Sequence, residues 1–253
     1  MVHFVGAGPG SVDLITRRGE ELLKKADTVV YAGSLINKDL LKLCRKDCTL
    51  YDSALMDLDG IIAVIKESCD AGGEVVRLCS GDPSLYGAIG EHMRRLDELG
   101  IDYDVCPGVS SFQAAAAALK TEYMVPELSQ SLVITRAPGR TPVPDKETIE
   151  YFAKSGCALA IFLSTGLLES VKTSLLAGGY SEDDPAVIAY KVSHEDEKLI
   201  HCSVGTLCER AQQEGIMNTA LIIVGKMLKE SDTESRLYAK DFSTLFRTAD
   251  NEN

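Results

Sequence analysis

VHFVGAGPGS, residues 2–11, gives the first indication of the fold, because an apolar strand is followed there by a glycine-rich turn. VHFVG (2–6) has the apolar character of a buried strand, and LITRRGEELLKKA (14–26) has helical spacing. A strand, a glycine turn and a helix in this order are how a βαβ unit begins. The stretch therefore predicts an α/β fold with a turn at the carboxyl end of its first strand.

This turn departs from the glycine pattern of dinucleotide-binding proteins. That pattern is G-x-G-x-x-G, in which the third glycine lets the helix pack closely on the strand. Here Ser11 stands where the third glycine belongs, and Pro9 has no N–H to offer a phosphate. An NAD(P)-dependent oxidoreductase also needs an acid after the second strand, where this chain has YAGS (31–34). The oxidoreductase is therefore kept only as a less favoured alternative.

Alternating strand and helix signals continue through the first half of the chain. After residue 26 the predicted strands are TVVYA (28–32), EVVRLCSG (74–81) and IDYDVCPG (101–108). The predicted helices are IIAVIKESCDAGG (61–73), IGEHMRRLDELG (89–100) and SSFQAAAAALK (110–120). This β-α-β-α order predicts a mostly parallel sheet with helices on both faces.

A second α/β series follows the polar stretch TEYMVPELSQ (121–130). Its predicted strands are 131–137, 158–164, 186–192 and 220–226. Its predicted helices are 146–154, 166–177 and 206–214. Thr206 and Glu209 have the spacing of a capping box at the start of the last helix. We therefore expect two α/β domains with mostly parallel or mixed sheets. The predicted ranges are 1–120 for the first domain, 121–130 for a linker, 131–228 for the second domain and 229–253 for a polar surface tail, in which LYAKDFSTLF (237–246) could dock.

Composition narrows the classes of function. The 253 residues carry a formal net charge of −12, which disfavours non-specific nucleic-acid binding because that rests on clustered Lys and Arg. Apolar runs such as ALAIFL (158–163) are too short to span a bilayer. The eight cysteines form no C-x-x-C and the four histidines show no ligand spacing, so we expect no metal site. With no signal peptide, we expect reduced thiols and a cytoplasmic protein.

Three strand ends in the first domain carry glycine- or proline-bearing turns. They are GAGPGS (6–11), SGDPSLYG (80–87) and PGVSSF (107–112). Each alone is typical of a tight turn, but ligands in open parallel sheets bind beyond the carboxyl ends of the strands. Together the turns predict a pocket built largely of backbone. Asp82 could accept bonds from a ribose or an amine there, or cap the following helix, and Gly81 permits close backbone approach.

Side chains for binding anions follow the strands of the second domain. Arg136 and Arg140 stand at the end of strand 131–137, and Lys191 ends another strand. Surface solvation is the alternative for each, yet together on an acidic chain they indicate a site for an anionic ligand.

The chain contains no G-x-S-x-G, Walker or H-E-x-x-H motif, so no catalytic residue is assigned. His3 is predicted in a strand, His92 on a helix surface, and His194 and His201 in solvent. These features favour a reaction that needs no side-chain nucleophile.

The three turns, in this order and at these spacings, resemble those of the tetrapyrrole methylases, two-domain α/β enzymes that bind S-adenosylmethionine in the cleft between their domains. The resemblance covers nearly the whole chain and is strongest to the precorrin-4 C11-methyltransferase branch. The segments that carry it are YAGSLI (31–36), DSALMDL (52–58), GDPSLYG (81–87), PELSQS (126–131), ITRAPGRTPVP (134–144), IFLS (161–164), DEK (196–198) and LYAKDF (237–242). One departure is His194-Glu195, where the branch has Trp-Pro.

The resemblance also implies site residues, position by position. The implied cofactor contacts, mainly backbone and apolar, are Pro9, Ser80, Gly81, Asp82, Leu85, Ser110, Ser111, Leu163, Val192 and Ala220. Arg136, Arg140 and Lys191 are the candidates for pairing with substrate carboxylates, and Tyr86 could hydrogen-bond the substrate or pack beside it.

The implied reaction is methylation of C11 of precorrin-4 or cobalt-precorrin-4 in cobalamin synthesis, with S-adenosylmethionine as donor and S-adenosylhomocysteine as product. The resemblance also implies a homodimer. Methylases of this fold that act on uroporphyrinogen, other precorrins, diphthine or ribosomal RNA remain alternatives, as does a non-catalytic binding module.

Overall fold

The computed structural model describes residues 1–229, 235, 237 and 239–249 of the chain. The chain folds into two compact units. Unit 1 comprises Met1–Leu119 together with two later segments, Ala189–Leu199 and Thr219–Leu221, and unit 2 comprises the other described residues. The range 131–228, predicted from the sequence as one domain, thus contains two segments that group with unit 1.

Unit 1 is built on a parallel sheet of five strands. The strands are β1 (Val2–Gly6), β2 (Thr28–Tyr31), β3 (Thr49–Asp52), β4 (Val75–Cys79) and β5 (Tyr103–Cys106), in the spatial order β3-β2-β4-β1-β5. Every neighbouring pair is parallel, with Gly6 beside Cys79 and Tyr31 beside Asp52. All five carboxyl ends therefore lie at one edge of the sheet, and the predicted parallel sheet is confirmed.

The two faces of this sheet carry separate apolar cores. The helices are α1 (Arg17–Lys25), α2 (Leu58–Asp70), α3 (Ile89–Leu99) and α4 (Ser111–Leu119). Leu23 of α1 packs with Val76 and Leu78 on one face. Ile65 of α2 and other side chains pack with Phe4 on the opposite face. Neighbouring strand residues alternate between these cores, and each fully buried aliphatic side chain contributes about 1.5–3 kcal/mol.

Side-chain and backbone caps fix the helix ends. The helix predicted over residues 14–26 begins later than expected. Leu14 belongs to a 3₁₀ turn, Val12–Leu14, and α1 begins after Thr16, whose hydroxyl accepts a 3.1 Å hydrogen bond from Gly19 N–H. Gly100 closes α3 in the left-handed region with φ of 64°. These caps give the helices fixed starts and stops beside the strand-end turns.

A second sheet of five strands is mixed. Its strands are β6 (Leu132–Arg136), β7 (Ala158–Phe162), β8 (Pro185–Tyr190), β9 (Lys198–Ser203) and β10 (Ala220–Val224), in the order β6-β7-β10-β8-β9. β6 runs parallel to β7, and β10 runs antiparallel to β7. The accompanying helices are α5 (Ile149–Ala153), α6 (Leu168–Ala177) and α7 (Leu207–Gln213). The two α/β sheets, one parallel and one mixed, confirm the predicted fold class.

Several local predictions were wrong or incomplete. Strands β3 and β9 were missed because each has only two adjacent apolar residues, Leu50-Tyr51 and Leu199-Ile200, too short a run to predict a strand. The capping box at Thr206 does not form, since its hydroxyl instead accepts a 3.0 Å bond from Ser203 N–H. His92 is 8% exposed rather than on the surface, with Nδ1–H 3.1 Å from the Ala88 carbonyl, and burial lowers its pKa.

The predicted linker and tail differ in their packing. Within 121–130, Tyr123 is buried and Val125 pairs with Ser129 in an isolated bridge. In the tail, Leu245 and Phe246 are exposed. Tail residues 230–234, 236, 238 and 250–253 lie outside the described residues, and they include Tyr238 of the LYAKDF motif.

Within the part of the chain that the structure describes, no helix has the length and apolar character that crossing a membrane requires.

Candidate functional site

The three glycine turns of unit 1 meet backbone to backbone at the carboxyl edge of its sheet. A Cβ atom at Gly6 would lie 2.5 Å from Gly108 Cα and 2.6 Å from the Gly81 carbonyl oxygen. A Cβ atom at Gly108 would lie only 2.2 Å from that same oxygen. Real Cβ atoms do not approach so closely, so each of these positions needs glycine. The predicted convergence of the turns is therefore present in the structure.

Hydrogen bonds join the first turn to the second. Gly8 N–H donates to the Gly81 carbonyl at 3.2 Å, and Gly81 N–H donates to the Gly8 carbonyl at 2.9 Å. Both glycines have positive φ, 80° and 62°. A side chain at Gly8 would also meet the Leu14 carbonyl oxygen at 2.8 Å. The pair forms an isolated antiparallel bridge just past the ends of the parallel strands β1 and β4.

Asp82 clamps the second turn to the third. Its Oδ2 accepts a 2.8 Å hydrogen bond from Gly108 N–H, and its Oδ1 accepts bonds from the backbone N–H (2.9 Å) and the hydroxyl of Ser84. Burial alone would raise the pKa of Asp82, but the bonds from Ser84 and Gly108 outweigh it and lower the pKa. Asp82 does not cap α3, whose N-cap is Ala88. Its side chain sets the shape of the turns.

A second aspartate holds the turn after β2 in the same way. Asp52 at the end of β3 accepts hydrogen bonds from Gly33 N–H at 3.1 Å and Ala54 N–H at 3.0 Å. A Cβ atom at Gly33 would lie 2.0 Å from Asp52 Oδ2. Neither YAGSLI (31–36) nor DSALMDL (52–58) predicts this contact by itself. The signal that could have found it is an acid at one strand end with a glycine just past the neighbouring strand.

The remaining residues predicted around these turns lie in unit 1. Pro9, Ser80, Leu85 and Ser111 are half-buried, and Ser110 is buried, with its N–H donating to the Gln113 side chain at 2.9 Å. Tyr86, 44% exposed, has a φ of 57°.

A segment from later in the chain packs on the first turn. This return segment, residues 189–199, contacts the turn where Ser11 N–H donates to Ser193 Oγ at 3.0 Å. A Cβ atom at Gly10 would lie 2.3 Å from Cδ2 and 2.6 Å from Nε2 of His194. His194 is half-buried, so the prediction that it is solvated was wrong. The contact joins positions more than 180 residues apart and could not be read from local pattern.

The residues of the return segment that were predicted to bind ligands are engaged in contacts within the protein. Lys191 N–H donates to the Thr219 carbonyl at 3.1 Å, and Lys191 Nζ pairs with Asp196 at 2.5 Å, which raises the pKa of Lys191. Val192 of this segment is buried, and Ala220, the first residue of β10, is half-buried. The Lys191 charge is therefore already paired within its own loop.

Strained backbone gathers in these segments. Left-handed φ costs a non-glycine residue roughly 1–3 kcal/mol and is common at functional sites. In unit 1 the described non-glycine residues with positive φ are Tyr86, Ala88, Lys191, Ser193 and Thr219. Tyr86 lies in the second turn and Ala88 directly after it, Lys191 and Ser193 lie in the return segment, and Thr219 precedes β10.

In unit 2 the predicted residues follow the adjacent ends of β6 and β7. The Arg136 guanidinium donates to the carbonyls of Ala137 (3.2 Å), Thr141 (3.1 Å) and Pro142 (2.8 Å), so it holds its own loop. Arg140 is exposed and has no hydrogen-bond or ion-pair partner among the described residues.

Leu163, just past β7, combines 65% exposure with a φ of 53°. An exposed apolar side chain on a strained backbone is unusual, because strand β7 requires neither the exposure nor the left-handed φ. Its exposure leaves it available to an apolar part of a ligand.

Within the described residues, no group of three or more His, Cys, Asp and Glu side chains could hold a metal ion.

Comparisons with known proteins agree on one family. Residues 1–208 match the tetrapyrrole (corrin/porphyrin) methylases. The chain is 44% identical over 247 residues to the cobalt-precorrin-4 C(11)-methyltransferase of Methanocaldococcus jannaschii, covering 97% of this chain and 95% of that protein. It is 42% identical to the precorrin-4 C(11)-methyltransferase of a Sinorhizobium species, covering 97% and 98%. A solved cobalamin biosynthetic enzyme, a cobalt precorrin-4 methyltransferase, superposes with a TM-score of 0.88 at 40% identity, covering 90% and 96% of the two chains.

Proposed function

Because the chain belongs to the tetrapyrrole (corrin/porphyrin) methylase family, we propose that it transfers a methyl group from S-adenosylmethionine to C11 of precorrin-4, in its cobalt or metal-free form. The observation that carries the proposal is the backbone junction of Gly6, Gly81 and Gly108 at the carboxyl edge of the parallel sheet. This junction is formed by the three turns that resemble those of the family, and ligands of open parallel sheets bind at this edge.

The residues of the three turns fit the proposed methyl donor. At Gly81 a Cβ atom would face Ser110 at 3.7 Å, so the missing side chain leaves room beside the strand ends. Backbone groups there suit the polar atoms of a nucleoside, and half-buried Pro9 and Leu85 suit its apolar parts. We propose that the cofactor contacts implied by the resemblance bind the methyl donor. When bound, S-adenosylmethionine supplies an electrophilic methyl group with its own leaving group, so no covalent enzyme intermediate is required.

The chain's own contribution is to hold two reactants in line. An oriented pair of reactants gains several kcal/mol relative to free encounter. Asp82 serves this role indirectly, because three of its roughly four acceptor sites are filled by Gly108 and Ser84. Its one remaining site, on Oδ2, can accept a hydrogen bond from the ligand while the clamp stays intact.

Calorimetry separates this proposal from the oxidoreductase alternative. We expect S-adenosylhomocysteine to bind with a measurable enthalpy and one site per chain, because the turns are preformed. NAD should give no saturable heat, since the turn lacks the third glycine and Pro9 has no N–H. Binding of NAD in place of S-adenosylhomocysteine would refute the methylase assignment.

Arg140 is the cation that we propose for binding a carboxylate of the substrate. Precorrins carry several carboxylates, and guanidinium groups bind carboxylates in bidentate fashion. Arg136 and Lys191 already hold intramolecular partners, whereas Arg140 has none among the described residues. We propose Arg140 as the directly available cation and Arg136 as the residue that shapes its loop.

The Arg140→Ala variant should raise KM for the tetrapyrrole about 15- to 50-fold, which corresponds to roughly 1.6–2.3 kcal/mol, within the range of a charge-assisted hydrogen bond. Its kcat and its affinity for S-adenosylhomocysteine should stay near the values of the unmodified protein. The matched control is Lys146→Ala, which removes an exposed charge in the same connection. Steady-state kinetics makes the comparison, and an unchanged KM in Arg140→Ala would eliminate this carboxylate contact.

We also propose that the protein works as a homodimer in the cytoplasm, without nucleic-acid or membrane partners. The resemblance supports the dimer, and the net charge of −12 opposes nucleic-acid binding. All eight cysteines are free, which suits a reducing compartment. Light scattering during size-exclusion chromatography tests the dimer, for which a mass of about twice 27.3 kDa is expected.

A further inference from the structure

Two polar side chains are buried in the core of unit 1 on either side of the second turn, SGDPSLYG (80–87). Arg77 belongs to β4, which leads into the turn, and His92 belongs to α3, which follows it. Arg77 shares a strand face with Val75, two residues earlier, so it faces the core that contains Phe4. It pairs in register with Phe4, and the His92 ring packs edge-on against the Phe4 ring at 6.2 Å. Each of the two polar side chains is only 8% exposed.

The known hydrogen bonds of the two side chains fix which atoms donate and which accept. Arg77 Nη1 donates to the carbonyls of Val30 and Leu78, both at 3.2 Å. His92 Nδ1 donates to the Ala88 carbonyl at 3.1 Å, because a carbonyl oxygen can only accept. Burial and, more weakly, the charge of Arg77 lower the pKa of His92, so the ring is neutral near pH 7. A neutral ring that carries its proton on Nδ1 has an acceptor at Nε2.

One donor and one acceptor of this pair have no protein partner. Within the described residues, Arg77 Nε–H and His92 Nε2 form no hydrogen bond, and almost none of either atom is accessible to solvent. A buried polar atom left unpaired is costly, and such atoms are commonly satisfied by enclosed water. The group that satisfies both atoms must accept one hydrogen bond and donate another. Water does both, whereas a large ligand cannot reach atoms that are closed to solvent.

We infer that one buried water molecule joins Arg77 Nε–H to His92 Nε2, and that this bridge makes both side chains positioning residues for the second turn. The role rests on the proposed function, since Gly81 and Asp82 of that turn are proposed contacts of the methyl donor. The bridge ties the strand before the turn to the helix after it. His92 also holds the carbonyl of Ala88, whose φ of 51° lies in the left-handed region. Backbone in this region persists only where its surroundings fix it, which the bridge does.

A high-resolution crystal structure of the unmodified protein tests the water molecule directly. We expect density for one water molecule about 2.7–3.2 Å from both Arg77 Nε and His92 Nε2. A protein partner for either atom, or no density between them, would overturn the inference. This result does not depend on methyl-transfer activity, so it is independent of the proposed function.

Two substitutions at His92 test the positioning role. His92→Leu removes both ring nitrogens, and a turn that then holds its binding conformation about one tenth of the time raises the Kd for S-adenosylhomocysteine about tenfold. The KM for S-adenosylmethionine should rise equally, while kcat at saturating donor stays within about threefold, because the bound donor itself holds the turn. The side-chain amide of glutamine reaches the place of Nε2 and can accept there. His92→Gln should therefore retain the water molecule and raise the Kd less than about threefold.

Ile65→Val is the matched control, since Ile65 is fully buried in the same core but lies on α2, away from the turn. It should lower stability toward urea, as trimming a buried side chain does, and leave the Kd unchanged. An unchanged Kd in His92→Leu, or an equal loss of affinity in His92→Leu and His92→Gln, would overturn the positioning role. If His92→Leu does not fold, the crystal structure of His92→Gln decides, and loss of the water molecule there contradicts the inference. Failure of the unmodified protein to bind S-adenosylhomocysteine would instead refute the proposed function.

Discussion

Replacing Gly108 by alanine is expected to destabilise unit 1 by about 3 kcal/mol or more and to abolish binding of S-adenosylhomocysteine. Overpacking of a well-packed site typically costs about 1–3 kcal/mol, and it costs more when the neighbours cannot move. Here the new Cβ would lie 2.2 Å from the Gly81 carbonyl oxygen and 2.8 Å from Gly6 Cα. Both are backbone atoms of the other two turns, so relief requires separating the strand ends themselves.

The matched control for Gly108→Ala is Gly90→Ala in α3. A Cβ atom at Gly90 would have no neighbour within 4 Å, and alanine favours a helix by about 1 kcal/mol relative to glycine. Urea denaturation should therefore show a stability equal to or above that of the unmodified protein for Gly90→Ala and a clear loss for Gly108→Ala. A Gly108→Ala protein that binds S-adenosylhomocysteine normally would show that the backbone junction is unnecessary.

The second large effect is expected from Asp82→Asn, with a loss of about 2–3 kcal/mol in the free energy of unfolding. Hydrogen bonds to a charged group contribute about 1.5–3 kcal/mol, and an unpaired buried donor adds its own cost. An amide offers one oxygen where the carboxylate offers two. Either Gly108 N–H or Ser84 N–H would then face an NH₂ group, with no acceptor at 2.8 or 2.9 Å. The third turn would lose its attachment to the second, and affinity for S-adenosylhomocysteine should fall with it.

The effect of Asp82→Asn should depend on pH in a defined direction. The folded-state pKa of Asp82 is lowered, whereas an unfolded aspartate titrates near 3.9. The carboxylate therefore contributes its full stabilisation above about pH 4 and loses it as the pH falls through the lower folded pKa. Denaturation curves should show the largest difference between variant and unmodified protein at pH 6–7 and a shrinking difference below pH 4. Asp47→Asn, at an exposed position, should change stability by less than about 0.5 kcal/mol at any pH.

The parallel sheet of unit 1 could be predicted because its signals are local. Central strands such as β1 and β4 carry apolar runs interrupted by one polar residue each, and glycines mark the turns that follow them. Strands β3 and β9 were not predicted, because each carries only two adjacent apolar residues between polar ones. His92 was misplaced for a different reason: Phe4 packs edge-on against its ring at 6.2 Å, and this partner is remote in sequence.

The sequence predicts the site as a set of strand-end turns, but it does not predict the hydrogen bonds and contacts that join these turns. The motif GDPSLYG predicts Asp82 as an acceptor for a ligand or a helix cap. It does not predict that Asp82, after β4, accepts a hydrogen bond from Gly108, after β5, with β1 between these strands. Arg136 and Lys191 were predicted as cations for a ligand, yet tertiary structure supplies each with an internal partner. The contact of His194 with Gly10 depends on the return of residues 189–199 to unit 1, which no local pattern encodes.

The most direct test of the central claim is analysis of the reaction product by mass spectrometry and NMR. The protein is incubated with S-adenosylmethionine labelled with ¹³C in its methyl group and with precorrin-4 in its cobalt and metal-free forms, each in turn. The account predicts the gain of a single labelled methyl group on at least one form, with the ¹³C signal at C11 and stoichiometric S-adenosylhomocysteine. Absence of methylation on both forms, or a label at another ring carbon, would contradict it and favour a methylase of this fold with a different acceptor.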